Sequence, residues 1–126
     1  MMTQEEYVRD AIGLLSQLIA TPSTSRNDKE AADIMEKALR NYGFTPHREA
    51  NNVWVIDPHF DEQKPTLLLN AHIDTVKPVD SWRRDPFAPT IEGDTLYGLG
   101  SNDCGGGLCS LLQTFRMLTK KTQNYN

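Results

Sequence analysis

This chain lacks the marks of several common protein classes. Basic residues never cluster among aromatics: Arg83-Arg84 and Lys120-Lys121 are isolated pairs, and 17 acidic against 13 basic residues leave a formal net charge of −4. That balance argues against a nucleic-acid surface. No apolar run approaches the ~18 residues that a membrane span needs. The opening Met1-Met2-Thr3-Gln4-Glu5-Glu6 is acidic, unlike a secretory or mitochondrial leader. Cysteine is scarce. Cys104 and Cys109 stand five apart on or beside one expected helix, on different faces, so no disulfide is expected and a reduced, cytoplasmic setting follows. Cys104 reads as a buried free thiol, with thiolate coordination beside Asp103 as the alternative. The glycine-rich stretch Gly98–Gly107 has no Gly-Lys-Ser/Thr ending and no third glycine at the dinucleotide spacing. A phosphate loop and a dinucleotide fingerprint are both excluded.

What is present suits one soluble domain. Hydrophobic content is 38% and charged content 24% over 126 residues, with no repeat, low-complexity tract or internal boundary. Thr3-x-x-Glu6 forms a capping box ahead of Val8, Ala11, Ile12, Leu15, Leu18 and Ile19 at helical spacing, and Pro22 ends that helix through Thr21. Asn27-x-x-Glu30 repeats the capping signal before Ala31, Met35, Ala38, Leu39 and Tyr42, with Gly43 as C-cap. Phe44–Glu49 and Val53–Ile56 read as a hairpin around Asn51-Asn52; Thr90-Ile91 and Thr95–Tyr97 read as another around Gly93-Asp94. Between them, Thr75–Pro89 is a long loop. Its Trp82 and Phe87 either line a pocket or, as we favour, pin the loop to the core. A last helix carries Leu108, Leu111, Leu112, Phe115 and Leu118 on one stripe, closed by Lys120 and Lys121.

The chemistry concentrates in two stretches. Leu67-Leu-Leu-Asn-Ala-His72-Ile-Asp74, between Pro65 and Pro78, reads as a strand buried on both faces. Such a strand delivers its last residues to the carboxyl edge of a sheet, where open α/β folds place ligands. His72 and Asp74 point to the same side, and a carboxylate behind an imidazole is how proteins hold a metal-binding histidine in one tautomer. The plainer reading ends the strand at His72 and caps a turn with Asp74. The second stretch, Gly98-Leu-Gly100-Ser-Asn-Asp103-Cys-Gly-Gly-Gly107, holds one carboxylate in a glycine-rich loop. Asp103 reads either as a hard oxygen ligand for a metal or as a helix N-cap. His47 and His59 could each be recruited as a further ligand, although a surface role suits both better.

Together these blocks resemble one family. His72-Ile-Asp74-Thr-Val, then Trp82 and Asp85-Pro86-Phe87, then Leu96-Tyr97-Gly98-x-Gly100-x-x-Asp103-x-x-Gly-Gly, are similar to the di-zinc metallopeptidases. That family includes acetylornithine deacetylase, succinyl-diaminopimelate desuccinylase, aminoacylase and carboxypeptidase G. Asn70-Ala-His72, Val76-Lys-Pro78 and Gly100-Ser-Asn-Asp103 most resemble the acyl-ornithine deacetylases of Bacteroides-type bacteria. Leu99 and Gly105 stand where many members carry arginine and lysine.

The resemblance implies an α/β fold: the N-terminal part of a mixed, mostly parallel sheet flanked by helices, an incomplete zinc-exopeptidase-like catalytic domain over residues 1–126. It implies that His72 binds one Zn2+, that Asp103 bridges two, and that Asp74, counted with the catalytic residues, hydrogen-bonds the other ring nitrogen of His72. Co2+ or Mn2+ could replace zinc. The implied activity is removal of an acyl group from N-acyl-L-ornithine in arginine biosynthesis, with a related metallo-dipeptidase or succinyl-diaminopimelate desuccinylase as alternatives. A non-catalytic metal-binding or structural α/β fragment is the alternative of another class. The implied partner is a small N-acyl amino acid, and the complete enzyme is expected to be a homodimer. The family pattern continues with a Glu-Glu pair, a further acidic ligand and a distant histidine. No such pair follows Asp103, no histidine follows His72, and Glu5-Glu6 belongs to the first helical turn. This chain is therefore expected to be an inactive, truncated one, without the rest of the catalytic part and without the dimerisation domain.

Overall fold

A computed structural model describes all of residues 1–126. Three helices form the body: α1 (Gln4–Ile19), α2 (Lys29–Asn41) and α3 (Gly106–Leu118). Helix α1 starts where its capping box predicts. Thr3 Oγ1 accepts from the Glu6 amide at 3.2 Å, and Glu6 Oε2 accepts from the Thr3 amide at 2.7 Å. Two orphan donors of the first turn are thereby satisfied, so Thr3→Ala is expected to cost about 1 kcal/mol of stability, read as a shift of the urea midpoint. Helix α2 ends as predicted too. Gly43 takes φ +91°, its amide donates to Arg40 O and the Phe44 amide donates to Leu39 O, each at 3.0 Å. This is a Schellman ending, and its left-handed position favours glycine. The start of α2 departs from expectation. Asp28, not Asn27, occupies the cap and makes no side-chain capping bond. Its Oδ1 instead accepts from Asn51 Nδ2 at 3.0 Å, tying the helix start to a hairpin turn.

Helices α1 and α3 pack on each other, and α2 closes the core. Leu14, Met35, Leu39, Cys109 and Leu112 form its buried centre, with Phe44, Val53 and Ile73 against it. Arg116 ties the three helices together. Its Nη1 donates to Asp10 Oδ2 at 2.8 Å and to Gln113 Oε1 at 2.7 Å, and its guanidinium lies 3.7 Å over the Tyr42 ring. The cation keeps its hydrogen bonds while its guanidinium faces the aromatic ring.

Both hairpins form. The first is shorter than expected and turns at Ala50-Asn51 rather than Asn51-Asn52. The second turns at Gly93-Asp94 as expected, with one more residue in its first strand. Strands β1 (His47–Glu49) and β2 (Asn52–Trp54) pair antiparallel with Arg48 opposite Val53, and β3 (Thr90–Glu92) and β4 (Thr95–Tyr97) with Ile91 opposite Leu96. Arg84 clamps the second hairpin, donating to both Glu92 carboxylate oxygens at 2.7 and 2.9 Å while lying 3.9 Å over Tyr97.

The mostly parallel sheet is not what the structure shows. Its sheets are these two antiparallel hairpins, and the sole parallel pairing is an isolated bridge between Thr24 and Thr75. The stretch expected as a strand buried on both faces is not a strand, and Leu67 and Leu68 are 51% and 78% exposed. The reason is a missing ladder. A buried strand needs neighbours on both sides for its main-chain groups. Here the main chain is held near its two ends, by Leu67 N to Asn126 O and Asn126 N to Pro65 O at 2.8 Å, and by Thr75 N to Ser23 O at 2.8 Å. Apolar composition alone does not make a strand where no partner lies alongside.

Candidate metal centre

The stretch before Thr75 and the glycine-rich loop before α3 meet at His72. Asp103 lies in a π-helical turn, Ser101–Gly105, where its own backbone (φ −117°, ψ 96°) is not helical. Gly100 opens that turn in the left-handed region at φ +78°, and its carbonyl accepts from the Gly105 amide at 2.8 Å. Asp103 does not cap α3, whose cap is Gly105 without a side-chain bond. The capping alternative for Asp103 falls.

His72 Nε2 stands 3.0 Å from Asp103 Oδ1, across 31 residues of sequence. On the other side of the ring, Nδ1 is 2.9 Å from the main-chain oxygen of Asp74 and 3.3 Å from its Oδ1. The hydrogen bond on the second ring nitrogen is thus to the main-chain carbonyl of Asp74, with its carboxylate the more distant neighbour. The Asp74 carboxylate is engaged elsewhere: Ser25 Oγ donates to its Oδ2 at 2.5 Å. Acceptors on both sides favour the imidazolium. The Asp74 carbonyl, and after it the Asp103 carboxylate, raise the His72 pKa above its ordinary 6.5. The Ser25 hydroxyl, ahead of the nearby His72, lowers that of Asp74.

Cys104 sits half-buried beside Asp103, and its Sγ donates to the His72 main-chain carbonyl at 3.2 Å. Cys109 is buried, and desolvation pushes its thiol up to about 12, so it stays protonated. Both thiols are free, in line with the expectation of no disulfide. A small cleft of about 20 Å³ lies beside the site, lined among others by His72, Asp74, Thr75, Gly100 and Cys104. Trp82 and Phe87 do not line it. Their loop is fastened instead through Pro86, whose carbonyl accepts from the Leu99 amide at 2.7 Å.

The donor set fits a divalent metal in part. In tetrahedral zinc sites, N and O ligands at ~2.0–2.2 Å from the metal stand about 3.4 Å apart, only a few tenths beyond the separation of His72 and Asp103. The two side chains are also exposed enough to move, at 50% and 83%. No third histidine, cysteine or carboxylate completes a cluster with them. His47 stacks on Trp54 at 5.5 Å between ring centroids, and His59 lies in the polar Pro58–Lys64 loop around a separate surface hollow of about 610 Å³. Neither joins the site. The sequence reading missed Ser25, a serine 49 residues from Asp74 with no spacing signal to connect them.

Residues 68–126 match the model of peptidase family M20/M25/M40. Among curated proteins, succinyl-diaminopimelate desuccinylase of Coxiella burnetii is 31% identical over 123 residues, covering 93% of this chain and 32% of that protein. The succinyl-diaminopimelate desuccinylase of Blochmanniella floridana is 34% identical over 121 residues (90% and 32%), and that of Rhizorhabdus wittichii 34% over 116 residues (82% and 29%). The chain spans about a third of the length of these relatives. In these comparisons the chain is similar to M20 metallopeptidases and deacylases.

Proposed function

We propose that this chain is the N-terminal part of the catalytic domain of a metal-dependent amide hydrolase that removes an acyl group from an N-acyl amino acid. The observation that carries the proposal is the approach of His72 Nε2 and Asp103 Oδ1 to 3.0 Å from two separate segments, with Asp74 behind the ring. The names of the relatives favour the desuccinylase alternative over the acyl-ornithine reading, so a succinylated diamino acid is the preferred substrate and arginine biosynthesis is not carried forward.

In this reading His72 and Asp103 hold the metal, with zinc as the natural ion and cobalt or manganese acceptable to the same N and O donors. Bound zinc supplies Lewis acidity toward an amide carbonyl. The residues of the chain have their own tasks. Asp74 keeps the proton of His72 on Nδ1, which leaves the Nε2 lone pair facing the metal position. The Gly100–Gly105 closure holds Asp103 opposite that nitrogen. Two zinc ions, the remaining ligands, a general base and a homodimer belong to the complete enzyme under this proposal.

Zinc titration by calorimetry tests it. His72→Ala and Asp103→Ala are each expected to abolish the zinc uptake of the unsubstituted chain, and Asp74→Ala to weaken it by about 10–100-fold. Zinc uptake that survives both ligand substitutions would leave His72 and Asp103 as structural residues and sink the proposal.

A further inference from the structure

The segment Thr21–Asn27 belongs to no helix or strand, yet it is fastened along the site. Ser23 is buried, its Oγ donates to the Ile73 carbonyl at 3.2 Å, and its own carbonyl accepts from the Thr75 amide at 2.8 Å. Thr24 forms the parallel bridge to Thr75. Asn27 N donates to Thr24 O at 2.8 Å, closing a four-residue turn with Ser25 and Arg26 at its centre. Arg26 takes φ +72° at the third position of this turn, a place that favours glycine or asparagine. An arginine held there marks a turn whose shape is imposed by its surroundings. The shape has one evident product: it sets the Ser25 hydroxyl 2.5 Å from Asp74 Oδ2.

That bond bears on His72. With Oδ2 occupied by Ser25, Asp74 Oδ1 is left 3.3 Å from His72 Nδ1, beside the Asp74 carbonyl at 2.9 Å. Both acceptors of Asp74 then face one ring nitrogen. A carboxylate free to rotate would spend part of its time turned to solvent, and the ring proton would be held less firmly at Nδ1. We propose that Ser25 is a positioning residue for the metal centre: its hydroxyl locks the Asp74 carboxylate against His72 Nδ1 and so fixes the orientation in which the ring presents Nε2 to the metal position beside Asp103. This rests on the reading of His72 as a metal ligand, and it extends the site to a segment that the ligand pattern does not contain.

The ring itself gives a readout independent of metal. Long-range ¹H–¹⁵N correlation spectra of metal-free Asp103→Ala, in which the acceptor opposite Nε2 is removed, recorded at alkaline pH so that the ring is neutral, report which His72 nitrogen bears the proton. In that background the Nδ1–H form is expected to predominate with Ser25 or with Ser25→Thr, and to lose population to Nε2–H with Ser25→Ala. Calorimetric zinc uptake is expected to fall on the order of tenfold in Ser25→Ala, one bond beyond the usual carboxylate partner of a ligand histidine, and to recover in Ser25→Thr. An unchanged His72 spectrum in Ser25→Ala overturns the proposal, as does a fall in zinc uptake with no change at the ring. If the unsubstituted chain takes up no zinc, the metal reading fails, while the nitrogen signals still decide whether Ser25 holds the Asp74–His72 pair.

Discussion

Leu39→Ala is expected to destabilise this chain by about 2–5 kcal/mol, whereas Leu68→Ala is expected to change its stability by no more than about 0.5 kcal/mol. Leu39 is 4% exposed and sits in the small buried cluster with Leu14, Met35, Cys109 and Leu112. Its removal leaves a cavity bounded by three helices whose ends are already fixed by the α1 capping box and the Schellman ending of α2. Such a site cannot collapse easily, which puts the loss at the higher end of the range. Against a net stability of roughly 5–15 kcal/mol for a domain, that loss is a large fraction. Leu68, 78% exposed, has nothing to lose. The pair also separates two pictures of the chain. Were Leu67–Asn70 a central strand, Leu68→Ala would cost as much as Leu39→Ala. Urea midpoints of the two variants, compared at equal slope, decide between them.

Gly100→Ala is the second substitution with a large expected effect, and Gly107→Ala is its counterpart of opposite sign. At φ +78°, a side chain at position 100 costs about 1–2 kcal/mol from the clash of Cβ with its own carbonyl. The added Cβ would also lie 2.6 Å from Thr75 Cγ2. Thr75 is β-branched, and its neighbours Asp74 and Val76 continue the segment held by Ser23, so it yields poorly. Overpacking of this kind adds roughly 1–3 kcal/mol. The strain falls on the turn that carries Asp103 and on the residue after Asp74, so zinc uptake should weaken together with stability. Gly107 has open space around it and lies within α3. There alanine is expected to stabilise by about 0.5–1 kcal/mol, since it removes backbone freedom from the unfolded chain at no steric cost. Thermal melts of both variants test the contrast. A Gly100→Ala chain as stable as the parent would mean that the glycine-rich turn is not held in the shape described.

Much of the local structure is legible from short stretches of chain. The Thr3–Glu6 box, the Gly43 ending, the turn at Gly93-Asp94, and the apolar stripe of α3 depend on residues within a few positions of one another. Their physics is nearest-neighbour physics, and pattern captures it. The second capping signal shows where pattern stops. Asp28 occupies the cap of α2 without capping it, because its carboxylate is taken by Asn51 from the hairpin. A competing partner 23 residues away is invisible to spacing.

The pairing of His72 with Asp103 is of mixed origin. Residue types and order marked both positions as candidates, but periodicity could not say that they face each other at 3.0 Å. Nor could it assign the closer contact on His72 Nδ1 to the carbonyl of Asp74, since every residue carries one.

Amino-acid order thus decided the helices, the start of α1 and the end of α2, the Gly93-Asp94 turn and the candidate ligands, all matters of local propensity and side-chain chemistry. Tertiary structure decided that Leu67–Asn70 is no strand, that Asp103 is no cap, and that Ser25 rather than solvent occupies the Asp74 carboxylate. Each of these depends on what lies across space from a residue, and a strand, a cap or a hydrogen-bonded carboxylate exists only when that partner is in place.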